Sequence, residues 1–350
     1  MTDLPSNPQT LQSHLSTIFP TPTTRFQLQH SVLPSLLHSI SNISRTLRST
    51  SSVSTVGTSN AFGDAQLNVD VLAEQEIRNA LSQCPSVVCA SSEEDPVERS
   101  NPPPASQLSS LLGSSSKIST GTKETPTSNS EEEKEKEIYT VAFDPLDGSS
   151  IIAPNWSVGA IIGIWDGSSA LHQDPSTAQI GSILGVFGPR TTAVVALRIP
   201  GCTIEDGVCF EVSLDDDGMG AKEATPTISV TRPEVRLTEP PFKTRYFAPA
   251  NLRAAAEDQS YMELVTRFIG QKYTLRYSGG LVPDIVHALV KGHGIYVSPV
   301  TDKSQAKLRR LYELAPVALI VECAGGVAVD AKDGRRVLER EIRDTDERGD

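Results

Sequence analysis

Val141-Ala142-Phe143-Asp144-Pro145-Leu146-Asp147-Gly148-Ser149-Ser150 decides how the rest of this 350-residue chain is read. Val141, Ala142 and Phe143 predict the end of a buried strand. A tight turn follows, with Pro145 and Gly148 as punctuation. Asp144 and Asp147 are thereby held at a strand end with the Leu146 carbonyl between them. Hard oxygen donors in a rigid turn suit Mg²⁺ or Mn²⁺. Gly148, Ser149 and Ser150 offer backbone N–H groups and hydroxyls that cradle a phosphate. Asp-Pro or Asp-Gly alone is an ordinary turn dipeptide. The whole string is far more specific, because a carboxylate-held cation beside a phosphate cradle is the layout of metal-assisted phosphoryl transfer.

Upstream, Val87–Ala90 reads as a short strand that runs into Ser91-Ser92-Glu93-Glu94. Paired glutamates at a strand end repel, and cations relieve that repulsion. Further back, Asn68 caps a predicted helix through Val71, Leu72, Ile77 and Leu81, with Asp70 in its first turn. By themselves Asp64 is a loop acid and Asp70 a first-turn acid. Apolar residues at helical spacing from Phe26 to Leu47 predict a packed helix, and residues 49–59 read as a polar loop. Residues 1–24 read as a flexible tail with a short helix near Leu11–Phe19. Residues 95–137, with Asn101-Pro102-Pro103-Pro104 and a run of Glu and Lys, read as a disordered insertion. Downstream, Ser157–Trp165 is a predicted strand. Ile180–Gly188 is a close-packed segment, and Thr192–Arg198, Val208–Leu214 and Thr227–Val230 are antiparallel strands. A metal-binding lobe at 25–230 is followed by a second lobe at 231–335. There Val282–Lys291 is helical, Gly294–Val297 a strand, a last long helix opens at Lys307, and Val327–Asp330 is a final strand. Residues 336–350 read as a loose tail.

The formal net charge of −12 argues against nucleic acid or an acidic membrane as partner. It leaves room for an anionic substrate, since a bound cation reverses the local field. Five cysteines are too few for a disulfide scaffold at this length, and none has zinc-finger spacing. No apolar run is long enough to span a membrane, and no signal-peptide core opens the chain. A cytoplasmic location is expected.

The string Asp-Pro-Leu-Asp-Gly-Ser-Ser resembles the metal signature of the inositol monophosphatase and fructose-1,6-bisphosphatase superfamily, on its sugar-bisphosphatase branch. Asn155–Trp165 is most similar to the sedoheptulose-1,7-bisphosphatases. Asn60-x-x-Gly63-Asp64, with Asp70 six residues on, resembles the family's mobile catalytic loop and the helix after it. Ser92-Glu93-Glu94, Lys243–Arg253, Tyr273–Gly280 and Lys307–Pro316 match further motifs in family order.

The resemblance implies a layered α/β/α/β/α sandwich and Mg²⁺-dependent hydrolysis of a phosphorylated sugar. Glu93, Glu94, Asp144, the Leu146 carbonyl, Asp147 and Glu313 would hold two or three ions, and Asp64, Asp70 and Glu94 would be catalytic. Gly148, Ser149, Ser150, Asn251, Arg253, Arg276, Tyr277 and Lys307 would bind substrate, and Arg309 would restrain Asp64. A homo-oligomer, dimer or tetramer, is implied. The expected reaction is loss of the 1-phosphate from sedoheptulose 1,7-bisphosphate, with fructose 1,6-bisphosphate as the alternative substrate. An inositol-phosphate-type phosphatase would carry Trp-Asp where Tyr312-Glu313 stands, and a non-catalytic sensor would lack ligands. Three departures stand out: Ala153 replaces a usual Asp, Ser298 replaces a tyrosine of the fructose enzymes, and Ile138 replaces a nucleotide-site lysine.

Overall fold

In a computed structural model the structure describes residues 9–21, 23–59, 65–101, 137–201, 206–214, 228–305 and 308–349. The strands are β1 (Gln9–Thr10), β2 (Thr55–Ser59), β3 (Ala65–Leu67), β4 (Val87–Ser92), β5 (Arg99–Ser100), β6 (Tyr139–Asp147), β7 (Val158–Asp166), β8 (Gln179–Phe187), β9 (Thr191–Leu197), β10 (Val208–Ser213), β11 (Ser229–Arg232), β12 (Tyr246–Pro249), β13 (Thr274–Leu275) and β14 (Ile295–Val297). The helices of two turns or more are α1 (Leu11–Ile18), α2 (Leu33–Ser49), α3 (Asn68–Ser82), α4 (Gln259–Gly270), α5 (Leu281–Lys291) and α6 (Ala315–Cys323).

Nine strands form one sheet in the order β1-β11-β10-β9-β8-β7-β6-β4-β5. Its middle strands are buried at almost every position because both faces are covered. The period-2 alternation of β7 shows this: Val158, Ala160, Ile162 and Ile164 join the core under α1, α2 and α3, while Ile161 and Trp165 join the core under α5 and α6. A three-stranded sheet, β13-β12-β14, lies beyond α5. Adjacent residues of β12 point opposite ways, Tyr246 against His287 of α5 and Phe247 against Phe268 of α4. The layers are therefore α/β/α/β/α, as expected.

Neighbours in the large sheet run antiparallel, with one pairing decisive for function: β4 and β6 are parallel, Ser92 opposite Phe143. Glu93, just after β4, and Asp144, within β6, therefore emerge side by side.

Several expectations need correction. The segment at 9–21 is not a flexible tail: Leu11, Leu15 and Phe19 are buried, and β1 pairs with β11. Residues 55–59 are not loop but pair with 65–67. The ends of the 95–137 insertion are ordered, since β5 adds to the edge of β4 and Glu137 accepts from Gln27 and Leu28 amides; its stretch 102–136 lies outside the described residues. Ile180–Gly188 is strand β8. Val327–Asp330 makes only one isolated bridge, Val329 to Arg336. The stretch 336–349 is packed, with Val337, Leu338 and Ile342 buried. Among the described residues no helix is long and apolar enough to cross a membrane.

Candidate active site

The acidic site forms where three chain segments meet. Strand β6 does not turn at Asp144. It continues to Asp147 through a bulge, Pro145 and Leu146 facing the single residue Ala160. Bulges re-aim side chains beside active sites. The Leu146 amide donates to Asp144 Oδ1 at 2.9 Å, closing the local loop. The chain turns at Gly148, whose φ of 92° lies in the left-handed region that favours glycine. The parallel neighbour supplies Glu93, whose amide donates to the Phe143 carbonyl at 3.0 Å. Glu313 arrives from a π-turn, Arg310–Leu314, that opens into α6. Pro316 sets this helix against the sheet: its carbonyl accepts from Ser182 Oγ at 2.8 Å, and its ring lies over Gly163.

The outcome is a cluster of Glu93, Asp144 and Glu313 with one carboxylate oxygen from each within 4.8 Å of the others. Asp144 and Glu313 are buried. Burial, then the facing charges of Glu93, Glu313 and Asp147, holds the Asp144 carboxyl well above the ordinary carboxylate range. Burial and Glu93 do the same to Glu313. Such repulsion is what a divalent cation removes, so these residues fit Mg²⁺ or Mn²⁺. The Arg309 guanidinium, itself 1% exposed, pairs with Glu93 and supplies the countercharge seen here.

Asp147 stands at the edge of this cluster rather than in it. Its two oxygens accept the first amides of α5, Leu281 N at 3.2 Å and Val282 N at 2.7 Å. The helix comes this close because Gly159, paired with Asp147 across the sheet, leaves room: a Cβ there would sit 2.4 Å from Val282 Cβ. Burial pushes Asp147 up to about 6 against the pull of those amides. Glu94 is held by Gln66, Nε2 to Oε2 at 2.5 Å. It faces Asp70, whose carboxyl burial pushes up to about 7, against the Leu67 amide that donates to it at 2.9 Å. Gly148, Ser149 and Ser150 start a one-turn helix to Ile152, with both serines exposed.

The distal side is less assembled. Arg253 and Tyr277 are exposed and electrostatic neighbours. Arg276 points the other way, its guanidinium 5.7 Å from the Tyr246 ring centre. The Asn251 amide is spent on the chain, donating at 2.7 Å to both the Pro299 and Ser304 carbonyls. Asp64 and Lys307 lie outside the described residues; Arg309 pairs with Glu93, and its Nε lies 3.6 Å from Asp346 Oδ1.

The sequence reading missed Gln66, the α5 amides and Tyr296, a half-buried tyrosine among the fields of Asp147, Tyr277, Asp284 and Glu313. A signal for Tyr296 existed: it lies two residues before Ser298, in the strand β14 that leads to it.

Two family models match, "Fructose-1-6-bisphosphatase, N-terminal domain" over residues 105–208 and the C-terminal domain of the same family over 241–350. A class 1 fructose-1,6-bisphosphatase of Trichlorobacter lovleyi is 30% identical over 333 residues, covering 90% of this chain and 86% of that one. The chain belongs to the fructose-1,6-bisphosphatase family. A chloroplastic sedoheptulose-1,7-bisphosphatase of Spinacia oleracea is 35% identical over 292 residues, covering 83% of this chain. This family member spans 62% of that relative's length. A solved structure from Toxoplasma gondii, carrying the provisional name sedoheptulose-1,7 bisphosphatase, is 28% identical with a TM-score of 0.75, covering 97% of this chain and 93% of that one. A Leishmania major fructose-1,6-bisphosphatase, 23% identical with a TM-score of 0.73, shares the fold.

Proposed function

We propose that this protein is a Mg²⁺-dependent sugar-bisphosphate phosphatase that removes the 1-phosphate of sedoheptulose 1,7-bisphosphate. The observation that carries the reading is the convergence of Glu93, Asp144 and Glu313 to within 4.8 Å at one end of the large sheet. These residues, with Glu94, Asp147 and the Leu146 carbonyl, would hold two or three Mg²⁺ ions, or Mn²⁺, which would supply charge neutralisation and water activation. Asp70 takes a proton from the attacking water, a task suited to a carboxyl raised to about 7 at neutral pH. Glu94, oriented by Gln66, is the second proton acceptor. The Gly148 and Ser149 amides, at the turn that the positive φ of Gly148 makes, hold the phosphoryl oxygens. Arg253 and Tyr277 receive the distal phosphate, since an exposed guanidinium pairs bidentately with such an anion. Lys307 holds the sugar phosphate and Asp64 closes over it, on the strength of the resemblance alone. Arg276, turned toward Tyr246, serves a neighbouring subunit of a homo-oligomer.

Fructose 1,6-bisphosphate is the second reading. It is favoured by coverage, 86% of the bacterial class 1 relative against 62% of the plant one. Identity, 35% against 30%, favours the seven-carbon sugar. Phosphate release from both bisphosphates on one preparation, compared as kcat/KM, decides between them. Full activity in EDTA would overturn the metal-dependent reading altogether.

A further inference from the structure

The stretch Asp344–Gly349 lies against the turn that carries Glu313, and it does so through backbone groups. The Arg310 amide donates to the Glu347 carbonyl at 2.7 Å, and the Gly349 amide donates to the Leu308 carbonyl at 3.1 Å. Arg309 and Arg348 form the antiparallel bridge between these two bonds. Leu308, Arg309 and Arg310 are thus paired as a short ribbon immediately before the π-turn. From that ribbon the contacts run straight to the acidic cluster. The Arg309 amide donates to Glu313 Oε2 at 2.5 Å, and the Arg309 side chain pairs with Glu93. Asp346 flanks the same guanidinium, Oδ1 at 3.6 Å from Nε. Arg310 is locked from below by the buried Asp330. Gly349 lies flat on this arrangement: a Cβ there would stand 2.7 Å from Leu314 Cδ1 and 3.0 Å from Arg310 Nη2.

We propose that Asp344–Gly349 is a positioning strap for the metal-binding cluster, fixing the Glu313 carboxylate and the Arg309 guanidinium through the backbone of Arg309 and Arg310. The inference rests on the metal-site reading above. Hydrogen bonds that orient ligands from behind are worth about 10- to 100-fold in metal affinity when lost. The strap has no contact with substrate in this role; it acts through Arg309 and Glu313.

The test uses the full chain. Mg²⁺ is titrated into wild type, Gly349→Ala and Gly349→Val. The readouts are the Mg²⁺ dependence of the melting temperature, calorimetric binding, and half-saturating Mg²⁺ in phosphate release. The expected result is a graded weakening, with Gly349→Val about tenfold or more weaker for Mg²⁺ and kcat at saturating Mg²⁺ much less affected. Gly349→Ala, the milder change, keeps the test alive if the valine variant does not fold. A wild type that shows no Mg²⁺-dependent shift overturns the metal reading, and the strap falls with it. A wild type that responds, with both variants melting lower in EDTA but binding Mg²⁺ with its midpoint, overturns the strap alone and leaves a purely structural segment.

Discussion

The two ends of the candidate site are built differently. At the acidic end, Glu93, Asp144 and Glu313 converge in the monomer, Asp144 and Glu313 buried, at a cost visible in their raised carboxyls. At the distal end, Arg253 and Tyr277 are exposed, Arg276 faces away, and the Asn251 amide holds the loop at 299–304. Chemistry that must be rigid is carried on strand ends and a helix start. On the proposed reading, recognition of the part of the substrate that does not react falls to side chains on the surface. On that same reading the acidic end governs turnover and stability together, whereas the distal end governs binding.

Asp144→Asn is the largest test of that contrast. Loss of a charged ligand should lower turnover by several orders of magnitude, since metal activation supplies much of such a rate. The same change should stabilise the metal-free protein. The sign follows from linkage: a carboxyl raised by folding contributes stability at low pH and loses it as pH rises through its folded pKa. In EDTA at pH 8 the Asn variant should melt above wild type, and the gain should vanish near pH 4. A variant that melts lower at pH 8 would show that the cluster is not strained.

Asp70→Asn comes next. Removing a proton acceptor should cost about 100-fold or more in kcat. The amide oxygen of Asn can still accept from the Leu67 N–H, so the helix cap survives. Because burial raises Asp70 to about 7, its folded form favours the proton, and stability falls as pH rises from the ordinary carboxylate range to 7. The Asn variant should lose that slope. A kcat–pH profile whose acid limb is unchanged in Asp70→Asn would remove Asp70 from proton transfer.

The acidic end was also the legible one. Asp144, Asp147 and Gly148 occupy one string whose strand-and-turn chemistry is local, and Glu93 and Glu313 each follow or open a recognisable element. What was not legible depends on partners far away in the chain. Asp147 accepts amides 134 and 135 residues downstream, and Arg309 reaches Glu93 across 216 residues. The strap at 344–349 is charged, so its composition resembles a solvated tail. Its packing comes from main-chain bonds and from three buried apolar residues just before it, Val337, Leu338 and Ile342. Likewise Gln9–Thr10 belongs to the sheet only because Ser229–Val230 is there to pair with it.

Arg253→Ala probes the distal end. One guanidinium–phosphate pair lost from a solvated site should raise KM about tenfold, at the level of a charge-assisted hydrogen bond. The kcat at saturation should change little, because the group binds a part of the substrate that does not react. Any preference for the seven-carbon sugar should shrink with it. An equal loss of kcat for both sugars would place Arg253 in the chemistry instead and erase the contrast between the two ends.

The smallest effect is expected from excising the stretch between β5 and β6. Residues 102–136 offer few apolar groups to offset chain entropy. Their flanks do matter, since Arg99–Ser100 pairs with β4 and Glu137 caps the turn at Gln27–Leu28. Excision between Asn101 and Glu137, closed by a short Gly/Ser join, shortens the loop several-fold. Loop-closure entropy changes by about 0.6 kcal/mol per halving, so the gain is on the order of 1–2 kcal/mol and the melting temperature should hold or rise by a few degrees. The Mg²⁺ midpoint and KM should both stay put. A fall in melting temperature would show that the stretch packs against the sheet edge. A shift of the Mg²⁺ midpoint alone would tie it to Glu93 and Glu94, which leave β4 only a few residues before it.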